Sequence, residues 1–165
     1  MMESSNVVRA TASWPVHGWI GVALIAVFWP LNWVLPGLRT HLLFFPLWLG
    51  YVLAVDALVL RRRGSSILTR SPGRFVLLFV LSAPAWWLFE AFNARTGNWI
   101  YHGVEHFSDL HYAVLATVAF STVMPAVFET AELVRSFGWV ERLRQGPRLR
   151  PTSRFCFGLV LIGLG

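Results

Sequence analysis

The chain has no lysine, a single cysteine and little charge. Its 14 basic residues are all arginines, set against 8 acids, and charged side chains make up only 13% of its 165 residues. A soluble domain carries about 25%, so a water-soluble globule is excluded. Cys156 alone cannot close an internal disulfide, so the fold relies on none. The lack of lysine reads as compositional bias and carries no functional weight. There is no internal repeat and no low-complexity tract. No small-x-small cleavage site follows the first apolar run, so an uncleaved N-terminus is expected.

Apolar sequence is what the chain has in quantity. It is 56% hydrophobic with a mean hydropathy of +0.57, and several runs reach the ~20 residues that cross a bilayer. The pattern predicts an all-α, polytopic transmembrane helix bundle, one integral membrane domain over residues 1–165. Four complete spans are expected near 15–35, 41–60, 74–93 and 111–132. A fifth begins at 155–165, where eleven residues rise only ~16 Å, so a truncated sequence is expected, with a re-entrant or monotopic tail as the alternative. Pro15 suits a first helical turn. Trp14 and Trp19, then Trp29 and Trp33, mark the two interfaces of the first span. Ala83 and Ala85 beside Pro84 would let another helix come close. Pro125 frees the carbonyl of Ser121, and the hydroxyls of Ser121 and Thr122 can resatisfy the backbone there.

Arginine counts give an orientation. Arg9, the group Arg61, Arg62, Arg63, Arg70 and Arg74, and the group Arg135, Arg142, Arg144, Arg148, Arg150 and Arg154 would share one side. Only Arg39 and Arg95 fall on the other. The positive-inside rule then puts the N-terminus in the cytoplasm of a multi-pass protein of the cell (inner) membrane. The charge belongs to loops and to anionic headgroups, not to nucleic acid. Expected partners are membrane lipids and a further copy or a membrane subunit, because four and a half spans make a thin bundle.

Functional groups gather between Trp86 and His111. Ala83, Trp86 or Trp87, Glu90 and Asn93 share a helix face at 3–4 spacing. A carboxylate inside a span marks a function or an interior partner. Glu90 and Asn93, with His102 and His106 from the following loop, are the candidate catalytic groups. Trp86, Trp87, Trp99 and Tyr101 are candidate walls for an apolar substrate or a cation. The structural alternative is that Glu90 pairs with Arg95. His102, Glu105 and His106 read as H-x-x-E-H, a spacing that supplies zinc ligands and a base in one metalloprotease class. Gly103 weakens the helix that motif needs, and a looser set of His102, His106, His111 and Asp109 is the other metal arrangement. The plainer account, a wet interfacial loop, is preferred, and no metal is assigned. The residues identify no cofactor.

A second polar group lies at the other end. Asp56 and Glu129 are both in the inner third, where they can share a proton or meet Arg61 or Arg135. Glu129 is expected on the face of Val118, Thr122 and Pro125, with Glu132 one turn on. Glu90 and Glu129 are ~20 Å apart along the membrane normal at 1.5 Å per residue, so they form separate sites.

Asn98-Trp99-Ile100-Tyr101, followed later by Met124-Pro125-Ala126-Val127-Phe128-Glu129-Thr130, is similar to a pattern in small membrane-embedded lycopene cyclases. Those carry a Trp-x-aromatic element and then a Pro-x-Glu-Glu element near a helix end. Here Pro125 is followed by Ala126, Val127 and Phe128 before a single Glu129. The resemblance covers about a fifth of the chain and implies an enzyme acting on a hydrophobic isoprenoid or lipid. The expected function is therefore a membrane-embedded enzyme acting on a lipid or isoprenoid at the extracytoplasmic polar site. The alternatives are a transporter or transporter subunit with Asp56 and Glu129 as proton-carrying groups, or a non-catalytic membrane scaffold.

Overall fold

A computed structural model describes residues 13–35, 37, 40–102 and 104–143. The apolar run at 155–165 and Cys156 lie outside the described residues. The helices are α1 (Val16–Val34), α2 (Thr40–Arg63), α3 (Ile67–Arg70), α4 (Pro72–Thr96), α5 (Asp109–Phe120), α6 (Val123–Arg135) and α7 (Gly138–Leu143). No strand occurs among the described residues. Four passes are long and apolar enough to cross a membrane: Val16–Val34, Leu42–Arg63, Pro72–Thr96 and Asp109–Arg135. The protein is an all-α integral membrane bundle.

Local sequence sets the helix ends. Ser66 caps α3 in a reciprocal pair with Thr69. Pro72 opens α4, where its missing N–H costs nothing. Gly97 closes α4 in the left-handed region, at φ 64°, and its N–H donates to the Asn93 carbonyl at 2.7 Å. Ser108 caps α5, with Asp109 in the first turn beside the positive end of the helix dipole.

The packing order is α1 on α2, α2 on α5 and α6, and α5 and α6 on α4. The seam between α1 and α2 is built from small residues. A Cβ added at Gly21 would stand 2.6 Å from the Ala54 nitrogen and 2.7 Å from the Gly50 oxygen, so the two backbones nearly touch. The sequence pointed instead to Ala83 and Ala85. Ala83 does pack against Ala116 and Phe120, but the tightest approach belongs to the glycines.

The fourth pass is not one straight helix. α5 stops at Phe120, Ser121 and Thr122 form a turn, and α6 starts at Val123. Pro125 has no N–H to offer Ser121. Ser121 Oγ donates to the Val118 carbonyl at 2.7 Å, and Thr122 Oγ1 to that of Ala119 at 2.8 Å. A third hydroxyl comes from the neighbouring helix. Buried Ser82 of α4 accepts the Met124 N–H at 2.9 Å and donates to the Phe120 carbonyl. The break also corrects the expected face of Glu129. Thr122, Pro125 and Glu129 are buried, whereas Val118 is 42% exposed, because the turn rotates α6 relative to α5.

Candidate functional site

Glu90 lies one turn after Trp86 on α4, half-buried near the helix end. Its Oε1 accepts three hydrogen bonds: from Trp86 Nε1 at 3.1 Å, from Trp99 Nε1 at 3.3 Å and from the Tyr101 hydroxyl at 2.6 Å. The spacing of 86 and 90 puts the first donor on the same helix face. The other two arrive because the loop folds back. Asn93 makes it do so: Nδ2 donates to the Trp99 carbonyl at 2.9 Å, and Oδ1 accepts the Trp99 N–H at 3.0 Å. A primary amide presents a donor and an acceptor side by side, matching the N–H and carbonyl of one residue. Arg95 is exposed, and no ion pair joins it to Glu90 among the described residues. The structural alternative for Glu90 is thus replaced by three aromatic donors.

A cavity of about 410 Å³ adjoins this cluster. Trp86, Phe107, Leu115, Ala116, Phe120 and Val123 give it an apolar wall, while Tyr101, His102, Tyr112 and Asn32 bring polar atoms. Glu90 is one hydrogen bond from that wall, through Tyr101 or Trp86. The Tyr101 phenol is held above its ordinary value, first by partial burial and then by its hydrogen bond to Glu90. Tyr101 therefore keeps its proton at neutral pH and presents a donor.

The other predicted residues divide. Trp87 does not line the cavity. Its Nε1 donates to Thr117 Oγ1 at 3.0 Å and its ring meets Phe120 edge-on at 5.4 Å, so it braces α4 against α5. Trp99 and Asn93 line a shallower groove beside Tyr101. His102 reaches the cavity. His106 is exposed, its Nε2 3.8 Å from Glu105 Oε1, and His111 packs on Phe107. Val104–His106 is only a 3₁₀ turn, too short to align the H-x-x-E-H side chains on one helical face. Among the described residues no three His, Cys, Asp or Glu side chains gather closely enough to hold a metal ion.

The second cluster lies at the arginine-rich end, and the structure enlarges it. Asp56, fully buried, accepts from Ser66 Oγ at 2.8 Å and from the Leu68 N–H at 3.0 Å. His17 of α1 brings Nε2 to 3.1 Å from Asp56 Oδ1. Asp56 does not meet Arg61. Glu132 takes a forked pair from Arg70 at 2.6 and 2.9 Å. Arg62 and Arg63 turn away to Ser136 and the Arg135 carbonyl, closing the end of α6. Glu129 lies against Asp56 and is fully buried, yet no donor among the described residues reaches either of its oxygens. The sequence reasoning passed over His17. The signal was available: His17 opens the first span and Asp56 nears the end of the second, so antiparallel spans bring them to one level.

No family model, curated protein or solved structure matches the chain, so its functional reading rests on these residues and their geometry.

Proposed function

We propose that the protein is a membrane-embedded enzyme acting on a lipid or isoprenoid in the cavity beside Glu90. One observation supports this above the others. An apolar cavity of about 410 Å³ carries in its wall a phenol whose proton is already directed at a shielded carboxylate. That volume falls in the range of small-molecule sites, ~300–1,000 Å³. Tyr101 touches the substrate. As its oxygen takes a substrate proton, its own proton passes to Glu90, and the reverse path returns it. Asn93 is a positioning residue that fixes the Trp99–Tyr101 segment of the loop. Trp86 shapes the wall, His102 orients the polar end of the substrate, and Trp99 shields the carboxylate. His106 has no part in the site.

The cavity end of the bundle faces the extracytoplasmic side and the N-terminus the cytoplasm, in the cell (inner) membrane. Support comes from the arginine distribution, twelve against two. In a Cys156→Ser chain, Ser65→Cys and Ser108→Cys should label from opposite faces of sealed vesicles. Labelling from one face would overturn this orientation.

The enzyme reading is tested by mass spectrometry of lipid extracts. Membranes holding the wild-type chain should convert an apolar species that also co-purifies with it. Tyr101→Phe and Glu90→Gln should still retain that species and lose conversion. Equal conversion by both variants, or no retained apolar molecule, would overturn the reading.

A further inference from the structure

The arginine-rich end holds a second site that the cavity does not explain. Glu129 is fully buried on α6, and among the described residues no donor reaches either of its oxygens. Asp56 faces it from α2 and is also fully buried, but has its donors in Ser66 and the Leu68 N–H. A buried carboxylate without a donor or counter-charge is among the costliest groups a bundle can hold.

Counting charges shows what is missing. The acids here are Asp56, Glu129 and Glu132. Among the described residues the cations within reach are His17 from α1 and Arg70, which is forked onto Glu132. Arg62 and Arg63 are committed to the end of α6. Arg61 on α2, Arg74 at the start of α4, Arg135 at the end of α6 and Arg142 on α7 are exposed. Among the described residues, three acids thus face two cations even with His17 charged, one positive charge short.

We propose that Asp56 and Glu129 form a proton-binding site, holding one proton between them, with His17 as the group through which that proton exchanges with water. The proton closes both deficits. It removes the surplus charge, and it turns Glu129 into a donor directed at Asp56. His17 suits exchange because its buried Nε2 stands 3.1 Å from Asp56 Oδ1 while its side chain as a whole is 20% exposed and Asp56 is fully buried. This proposal is independent of the cavity and of Glu90.

The test is infrared spectroscopy of the full chain in lipid nanodiscs, reading the carbonyl stretch of a protonated carboxyl group at neutral pH. The chain has only 8 acidic side chains, so assignment by substitution is practicable. Wild type should show the band. Glu129→Gln should abolish it, and so should Asp56→Asn, because one acid fewer leaves no surplus charge. Glu90→Gln should keep it. No band in wild type, or a band that survives Glu129→Gln, would overturn the proposal, and the wild-type measurement stands even if a variant fails to fold. His17→Gln should slow the shift of the band after transfer to heavy water. An unchanged rate would remove His17 as the exchange route.

Discussion

Substituting Gly21 by alanine tests the seam that holds α1 in place. The new Cβ would stand 2.6 Å from the Ala54 nitrogen and 2.7 Å from the Gly50 oxygen, where ordinary contact begins at 3.4 Å. The helices must therefore part by 3.4 − 2.6 = 0.8 Å or distort. Both obstructing atoms are backbone, so no side chain can swing aside. Overpacking of this kind costs about 1–3 kcal/mol. Alanine recovers up to ~1 kcal/mol through its better helix propensity. The expected net loss is about 1 kcal/mol or more. Gly73→Ala is the matched control, because nothing lies within 4 Å of its added Cβ. It should be neutral or up to ~1 kcal/mol more stable. The gap between the two variants, about 2 kcal/mol, is a factor of roughly 30 in the unfolding equilibrium. Denaturing detergent titrated into mixed micelles, followed by far-UV circular dichroism, measures it. If Gly21→Ala matches wild type while Gly73→Ala is the weaker of the two, the close approach of α1 and α2 is wrong.

Three further outcomes follow from single side chains. Ser82→Ala removes the acceptor of the Met124 N–H and the donor to the Phe120 carbonyl; it should cost about 1–3 kcal/mol and speed hydrogen exchange at the Met124 amide. Asn93→Ala should free the Trp99–Tyr101 loop segment, raising its proteolysis and releasing the retained apolar molecule, while Asn93→Asp, which can still accept the Trp99 N–H, should fall between alanine and wild type. The Tyr101 phenol is raised by burial and by Glu90, so its folded-state preference for the neutral form is fully present below the ordinary phenol value and is lost as pH rises through the higher one. Tyrosinate absorbance should therefore show Tyr101 ionising late in wild type and earlier in Glu90→Gln, though still later than a free phenol because burial is the larger cause; identical curves would separate Tyr101 from Glu90.

The four passes were legible because hydropathy needs no partner information: a run either is or is not long enough to leave water. The candidate site was half legible. Trp86 and Glu90 meet through helix period alone, so their spacing places them together. Trp99 and Tyr101 reach the same carboxylate only because Asn93 grips the Trp99 backbone and Gly97 turns the chain, and no periodicity in residues 97–102 states that path. His17, alone at the head of an aromatic-rich span, has no local signal, since its partner Asp56 is 39 positions away. The break at Ser121–Thr122 was seen only as a kink, because Pro125 advertises one lost hydrogen bond while the receiving hydroxyl, Ser82, belongs to another helix. The α1 seam was missed for a similar reason. Gly18 and Gly21 lie on one span and Gly50 on the next, and their meaning depends on which helices become neighbours.

In an uninterrupted helix, the direction in which one residue points fixes the direction of every other, turn after turn. Tyr112 at the cavity and Glu129 at the opposite end would then share a single azimuth, and neither could be re-aimed without turning the other. The turn at Ser121–Thr122 cuts that gearing. The upper rod is clocked against Trp86 and Trp87 of α4 through Phe120. The lower rod is clocked against α2, where Tyr51 and Thr130 meet at 2.8 Å. One crossing of the membrane thereby serves two masters, and a substitution that re-aims Glu129 should leave the part of the cavity wall built by α5, Tyr112 to Phe120, where it stands.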